Sequence, residues 1–293
     1  VTTIRQLLVD VERRFQQAGI ESARTDAELL LAHILGITRS QLLIAPAIAE
    51  DQLHAYELVV RRRVLREPLQ YITGTAPFRR LELEVGPGVL VPRPETELMI
   101  DIVKRFAVPG IALDLGAGSG CISLSLATEL AGFEVYAVEN SMDALNYLNK
   151  NITRYQQQVQ PGSSVTALGI DLVELPKVKP ELIGKVQVIL ANPPYVPVGS
   201  AVSAEVQYFE PAAAVFSESN GYAVIDKVIE LAVNMLAPGG LIVIEHHELQ
   251  GLAGETGGVI GKLRTTGKFF EINGVDDLTN RPRFSYGIRD TAS

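Results

Sequence analysis

The sequence predicts an α/β protein: a doubly wound, mainly parallel sheet of seven strands, preceded by a small helical domain. Three observations carry this. From residue 97 onward, short apolar runs alternate with helix-length amphipathic segments, the pattern of strands joined by crossover helices. A glycine-rich loop over 116–120 follows the first of these runs. Residues 1–70, by contrast, show only helical periodicity.

Within residues 1–70, Ile4, Leu7, Leu8, Val11 and Phe15 recur at helical spacing. Ala27, Leu30, Leu31, Ile34 and Leu35 do the same, after an N-cap expected at Thr25 or Asp26. A third helix is expected over 50–66, apolar at Leu53, Tyr56, Val59, Val60 and Val64. Its end carries Arg61, Arg62, Arg63 and Arg66, read as a solvated face that complements the helix macrodipole. A contact surface for an acidic partner or RNA is the alternative.

Residues 71–96 read as a β-hairpin linker. Tyr71-Ile72, Phe78 and the alternation from Leu81 to Val85 suggest the strands, with Gly86-Pro87-Gly88 as the turn. Arg93 stands between Pro92 and Pro94, which restrict it and favour a fixed role. Residues 97–293 then form the sheet domain. Strands are expected at 111–115, 134–138, 165–170, 186–191 and 241–245, with late ones at 269–272 and 284–288. Helices are expected near 97–107, 120–131, 141–152, 222–236 and 248–265.

Bulk properties narrow the function. No apolar stretch approaches the roughly 20 residues of a membrane span, and no signal-peptide pattern is present. A single cysteine, Cys121, fits a reducing cytoplasm and reads as a small core residue at a helix start. No metal is expected: the histidines lack ligand spacing, and His246-His247 on a strand end would point to opposite sides. Residues 1–80 carry 11 Arg against 9 acidic residues, whereas residues 81–293 carry 15 basic against 25 acidic. An acidic sheet domain argues against tight binding to nucleic-acid phosphates.

Two motifs carry the chemistry. In Asp114-Leu115-Gly116-Ala117-Gly118-Ser119-Gly120, glycines where a strand turns into a helix let a ligand approach the backbone and free helix N-terminal N–H groups. Cys121 stands where a dinucleotide fingerprint wants glycine or alanine. Asp114 suits a ligand ammonium and would repel a pyrophosphate. Glu139 ends the second strand, where a carboxylate can accept ribose hydroxyls, and Asp171 follows the third, where one can accept from an adenine amine. Together these describe an adenosyl amino acid, S-adenosylmethionine. The second motif, Asn192-Pro193-Pro194-Tyr195, follows an apolar strand. Two prolines remove two N–H donors and leave a rigid ledge of carbonyls, one amide and one ring, suited to a planar group rich in N–H.

At this point the chain resembles the class I S-adenosylmethionine-dependent methyltransferases, which have a Rossmann-like sheet, and among them those with an Asn-Pro-Pro-Tyr motif. More narrowly it is similar to the bacterial release-factor glutamine N5-methyltransferases, the HemK/PrmC family. Arg66-Glu67-Pro68, Tyr71-Ile72-Thr73-Gly74, the run Val91-Pro92-Arg93-Pro94-Glu95-Thr96-Glu97, Phe209-Glu210-Pro211, Ile244-Glu245-His246 and Arg281-Pro282-Arg283 also fit the family pattern. Many members carry glycine where His247 and Asn280 stand.

The resemblance implies that residues 1–70 receive a release factor and that Gly116, Ala117, Gly118, Ser119 and Gly120 line the methionine part of the cofactor. Glu139 would hold its ribose and Asp171 and Leu172 would border its adenine, while Asp114 and Asn192 complete the cofactor set. Asn192, Pro193, Pro194 and Tyr195 would bind the target glutamine amide. Asn192 through its side-chain oxygen and Pro193 through its carbonyl would hold the two amide N–H groups, with Tyr195 stacking on the amide or buttressing it. A monomer in the cytoplasm is expected. A DNA or RNA amino-methyltransferase and a methyltransferase of a large-subunit ribosomal protein stay open, as do a binding module without chemistry and a nicotinamide oxidoreductase. So do the roles of Arg93, Glu210 and His246.

Overall fold

A computed structural model describes residues 3–45, 48–251 and 257–291. They fall into two compact units, Val1–Thr75 with Val202–Phe209 and Ala76–Ala201 with Glu210–Ser293.

The first unit is helical. α1, Ile4–Gln17, opens on Thr3, whose hydroxyl accepts the Gln6 N–H while the Gln6 side chain accepts the Thr3 N–H. This reciprocal cap satisfies two otherwise orphaned donors. Leu7, Leu8, Val11 and Phe15 pack with Leu30 and Leu31 of α2, Ala23–Leu35, and with Tyr56 and Val60 of α3, Glu50–Val64. α2 begins after Ser22, so Thr25 and Asp26 lie inside its first turn and do not cap it. Asp26 has other work: it is buried and accepts Arg63 Nε at 2.8 Å and the Ser22 hydroxyl at 2.8 Å.

Of the arginines ending α3, Arg61 and Arg62 are exposed as a solvated face would be, whereas Arg63 and Arg66 are not. Arg63 is buried between Asp26 and Glu205, and Arg66 holds both oxygens of Glu205 at 2.7 and 2.6 Å. Arg62 pairs with Glu67. Carboxylates within the unit take up the charges of Arg62, Arg63 and Arg66, and those partners are distant from the helix in sequence or beyond its end. Glu205 also explains why residues 202–209, placed by sequence in the sheet domain, belong to the helical unit. Against the upward push of burial, hydrogen bonds from Arg66 and Arg63 hold the Glu205 carboxyl down at about 2. In the second unit, Arg79, against burial and with help from Lys104, holds Glu129 down at about 2. A depressed carboxyl stabilises the fold above its unfolded pKa of about 4.3 and loses that contribution as pH falls toward the folded value. Urea melts should therefore show stability falling between about pH 4.5 and pH 2, and Glu205→Gln should flatten part of that slope. A flat profile in the parent protein would contradict the pairing.

The second unit holds a seven-stranded sheet. Its strands are β1 Ile111–Leu115, β2 Glu134–Val138, β3 Ser164–Leu168, β4 Val186–Ala191, β5 Leu236–Glu245, β6 Phe269–Asp276 and β7 Pro282–Arg289. The order is β6-β7-β5-β4-β1-β2-β3, with β7 antiparallel to both neighbours and the other pairs parallel. The flanking helices are α4 Leu98–Phe106, α5 Cys121–Glu129, α6 Met142–Tyr155, α7 Ala223–Met235 and α8 Gly258–Thr265. The helix expected over 248–265 is described as Glu248–Gly251 and α8; its residues 252–256 lie outside the described residues. Alternate strand residues serve opposite cores. Leu113, Ile189 and Ile242 pack with Ile225 and Ile229 of α7, whereas Ala112, Leu190 and Val243 pack with Met99 and Ile100 of α4 and Ile122 of α5. Burial on both faces is why the central strands read as mostly apolar runs.

The hairpin is real but its turn is elsewhere. Strands Thr75–Phe78 and Leu81–Glu84 form a two-stranded sheet joined by Arg79-Arg80, while Tyr71 and Ile72 lie in the short helix Leu69–Thr73. Arg79 takes φ 52°, a strained conformation for a side-chain-bearing residue. Its N–H donates to Glu97 and its guanidinium to Glu129 and Asp101, which offset that strain. Gly86 and Gly88 serve close packing on α6 instead of turning the chain. A Cβ at Gly86 would meet the Tyr147 hydroxyl at 2.2 Å, and one at Gly88 would meet Asp143 Cβ at 2.5 Å. Asn280 takes φ 59°, a left-handed turn that asparagine tolerates better than most side-chain-bearing residues. No helix among the described residues is long and apolar enough to cross a membrane.

Candidate active site

The strand order reverses direction between β1 and β4, and a crevice at the carboxyl ends of the strands is the expected ligand site of such a sheet. A cavity of about 220 Å³ lies there. Gly116, Ala117, Gly118 and Ser119 line it after β1, Glu139 after β2, Leu172 after β3, and Asn192 and Pro194 after β4. Asp114, Gly120, Asp171, Pro193 and Tyr195 stand behind or beside this lining.

Gly116, Gly118 and Gly120 adopt φ of 78°, 56° and 84°, a region that favours glycine. At Gly116 a Cβ would meet nothing within 4 Å, so the backbone there borders open space. At Gly120 it would strike Leu148 at 2.7 Å, so this glycine lets α5 start close against α6. Glu139 is buried and accepts the Gly118 and Ser141 N–H groups, each at 2.8 Å. It therefore fixes the loop as well as facing the cavity. Asn151 adds a further tie, donating to the Ser119 carbonyl at 2.9 Å and to the Glu84 carbonyl at 3.0 Å.

Asp114 is buried beneath the loop. Its Oδ2 accepts both the N–H and the hydroxyl of Ser123, and its Oδ1 has no partner among the described residues. Burial pushes its carboxyl up to about 6; Ser123 opposes the rise and the charge of Glu139 adds to it. Asp171 N-caps a short 3₁₀ turn, accepting the Val173 N–H at 3.1 Å. Leu172, the next residue, is the one that reaches the cavity. Cys121 lines the cavity at the start of α5, and burial, together with the charges of Asp114 and Glu245, pushes its thiol far up, away from thiolate chemistry.

The ledge is anchored by two residues to which the sequence assigned no role, Thr96, which also lines the cavity, and Glu245. Asn192 Nδ2 donates to Thr96 Oγ1 at 3.1 Å, and the Thr96 hydroxyl donates to Glu245 Oε2 at 2.6 Å. The Tyr195 hydroxyl donates to Glu245 Oε1 at 3.1 Å. Glu245, the last residue of β5, is fully buried; that burial and the charge of Glu95 push its carboxyl up, while Thr96, Tyr195 and Arg283 pull it down, leaving it at about 7. Burial and the nearby Glu245 drive the Tyr195 phenol upward, so it stays neutral. Tied to Glu245 and packed on the sheet core, Tyr195 buttresses the ledge. Gly221 matters for the same reason: a Cβ there would approach the Tyr195 carbonyl oxygen to 2.1 Å. A buried acid closing an apolar strand was the one sequence signal that could have flagged Glu245.

Arg93 and Glu210 also find their roles. Arg93 lines the cavity and its Nη2 reaches both oxygens of Glu210 at 2.8 and 2.9 Å; Glu210 is buried and accepts the Val91 N–H. The pair clamps the proline-flanked segment over the cavity. His246 is buried away from it, with Nε2 2.8 Å from Ser285 Oγ and burial pulling the imidazole down to about 4. It is a neutral packing residue, while His247 beside it is half-buried.

Residues 6–74 match the family model described as the PrmC N-terminal domain, and residues 94–221 match the methyltransferase small domain. A release factor glutamine methyltransferase of Mycolicibacterium smegmatis is 36% identical over 291 residues, 99% of each chain. One from Streptomyces coelicolor is 39% identical over 280 residues, 93% of each chain. Among solved structures, the hMettl16 catalytic domain in complex with MAT2A 3'UTR hairpin 1 aligns with TM-score 0.53 at 15% identity, over 80% of each chain. A methyltransferase from Pyrococcus furiosus aligns with TM-score 0.51 at 19% identity, over 78% of this chain and 98% of that one. These two structural likenesses speak for the fold alone. With curated relatives of such identity spanning nearly its whole length, the chain belongs to the release factor glutamine methyltransferase family.

Proposed function

We infer that the protein transfers a methyl group from S-adenosylmethionine to the side-chain amide nitrogen, N5, of a glutamine in the Gly-Gly-Gln loop of peptide chain release factors. The observation that carries this reading is one cavity lined both by the glycine loop with Glu139 and by the Asn192 ledge. The residues present suit an adenosyl amino acid. Glu139 offers acceptors, the buried Ser119 hydroxyl and Asp114 Oδ1 lack partners among the described residues, and Gly116 borders open space. When bound, S-adenosylmethionine supplies an electrophilic methyl on a sulfonium.

The chain's part is to hold the amide. A glutamine amide nitrogen is a weak nucleophile because its lone pair is delocalised into the carbonyl. Asn192 Oδ1 and the Pro193 carbonyl accept no hydrogen bond among the described residues, and they are the acceptors for the two N–H groups. Held so, the nitrogen gains electron density, and fixed positioning contributes several kcal/mol, up to about 7–11 in favourable systems. Forming the N–CH₃ bond breaks the S–CH₃ bond; the nitrogen then loses its extra proton to a carbonyl or to water.

Residues 1–70 receive the release factor, and the protein acts as a monomer in the cytoplasm without tight nucleic-acid binding. Incubation with methyl-labelled cofactor and, in parallel, a release factor, a large-subunit ribosomal protein and duplex DNA tests the substrate. Label is expected on the release factor. Label on the ribosomal protein alone would overturn the substrate, and label on DNA alone would overturn the amide chemistry.

A further inference from the structure

We propose that Thr96 and Glu245 are positioning residues that set which end of the Asn192 side chain faces the substrate, and so select a glutamine amide over a carboxylate. This rests on the functional reading above and deepens it. An asparagine amide is nearly symmetric in shape but opposite in hydrogen-bonding character at its two ends. Turned one way it offers an acceptor to the cavity, and turned the other way it offers two donors. Only the first suits an incoming NH₂ group; the second suits a carboxylate.

The direction follows from donor counting. An ionised carboxylate only accepts. Glu245, fully buried, accepts Thr96 at 2.6 Å on one oxygen and Tyr195 at 3.1 Å on the other. Thr96 has a single proton, and it is committed to Glu245. Its oxygen can therefore only accept from Asn192, which must present Nδ2, the atom found 3.1 Å away. Oδ1 is then the end left for the substrate. The relay runs from the end of β5, through the turn Pro94–Glu97, to the residue after β4. Thr96 borders the cavity as well, while Glu245 stands outside its lining.

A neutral Glu245 removes the constraint. Its proton can be donated to Thr96, whose own proton can then point to Asn192 Oδ1 and favour the inverted amide. The charged and titratable groups facing Glu245 are Glu95 and Arg283, with Tyr195 on the ledge, Cys121 on α5 and the neutral His246 next to it in β5's continuation. Because the carboxyl lies at about 7, selection for the amide should strengthen as pH rises through that range.

The test needs no turnover. Calorimetry on the full chain with S-adenosylhomocysteine compares peptides ending their recognition loop in Gly-Gly-Gln and Gly-Gly-Glu. The parent protein is expected to prefer the glutamine peptide, more strongly at pH 8 than at pH 6. Thr96→Val and Glu245→Gln should each lower that preference about fivefold or more, a hydrogen bond's worth of discrimination. Thr96→Ser, which keeps the hydroxyl, should retain it, and Glu245→Gln should lose the pH dependence. Urea melts of Thr96→Val should match those of the parent protein, separating a lost relay from a lost fold. Full preference in Thr96→Val, or an equal loss in Thr96→Ser, would overturn the relay. A parent protein that binds neither peptide would overturn the functional reading itself.

Discussion

Asn192→Ala lowers turnover on a release factor by at least about two orders of magnitude, the loss seen when one positioned hydrogen-bonding group is removed from a transition state. The substitution removes the Oδ1 acceptor and leaves the Thr96 hydroxyl without its donor. The polypeptide around it is otherwise kept, since Ala191 and Pro193 are set by β4 and by proline geometry. Cofactor affinity should change much less, because the loop over 116–120 and Glu139 are untouched. Rapid-quench turnover and calorimetry on the same variant check both halves. A near-normal rate would remove the amide grip from the account.

Glu139→Ala has the complementary signature. It deletes the acceptor facing the cavity and also frees the Gly118 and Ser141 N–H groups that Glu139 now holds at 2.8 Å. Hydrogen bonds to a charged group contribute about 1.5–3 kcal/mol each, so losing even one costs roughly ten- to a hundredfold in cofactor affinity. The rate at saturating cofactor should recover more than it does in Asn192→Ala. Unchanged affinity by calorimetry would show that Glu139 only closes a loop and holds no ligand.

These two residues were legible in the sequence because local motifs announce them: a glycine run after a strand, an acid at the next strand's end, an amide before two prolines. The sheet was legible for a similar reason, since double-sided burial leaves mostly apolar runs at β1, at β4 and at 241–244 of β5. What escaped depends on partners distant in sequence. Glu245 meets Thr96 across 149 positions, and Arg63 meets Glu205 across 142. No spacing rule joins such pairs. The hairpin turn was misplaced because Gly86-Pro87-Gly88 has ideal turn chemistry, while Arg79 adopts its left-handed conformation only with Glu97, Glu129 and Asp101 around it. Asp171, read as an adenine acceptor, also caps a turn through Oδ1, a competing use that short acidic side chains often have.

The central claim is that the ledge after β4 grips a protein glutamine amide beside a methyl donor. Mass spectrometry of a release factor after reaction with the protein and S-adenosylmethionine tests it most directly. The expected result is a single methyl on the side-chain nitrogen of the Gly-Gly-Gln glutamine, absent when Asn192→Ala replaces the parent protein. A methyl on any other residue type, or an unmodified glutamine after complete cofactor turnover, would contradict it.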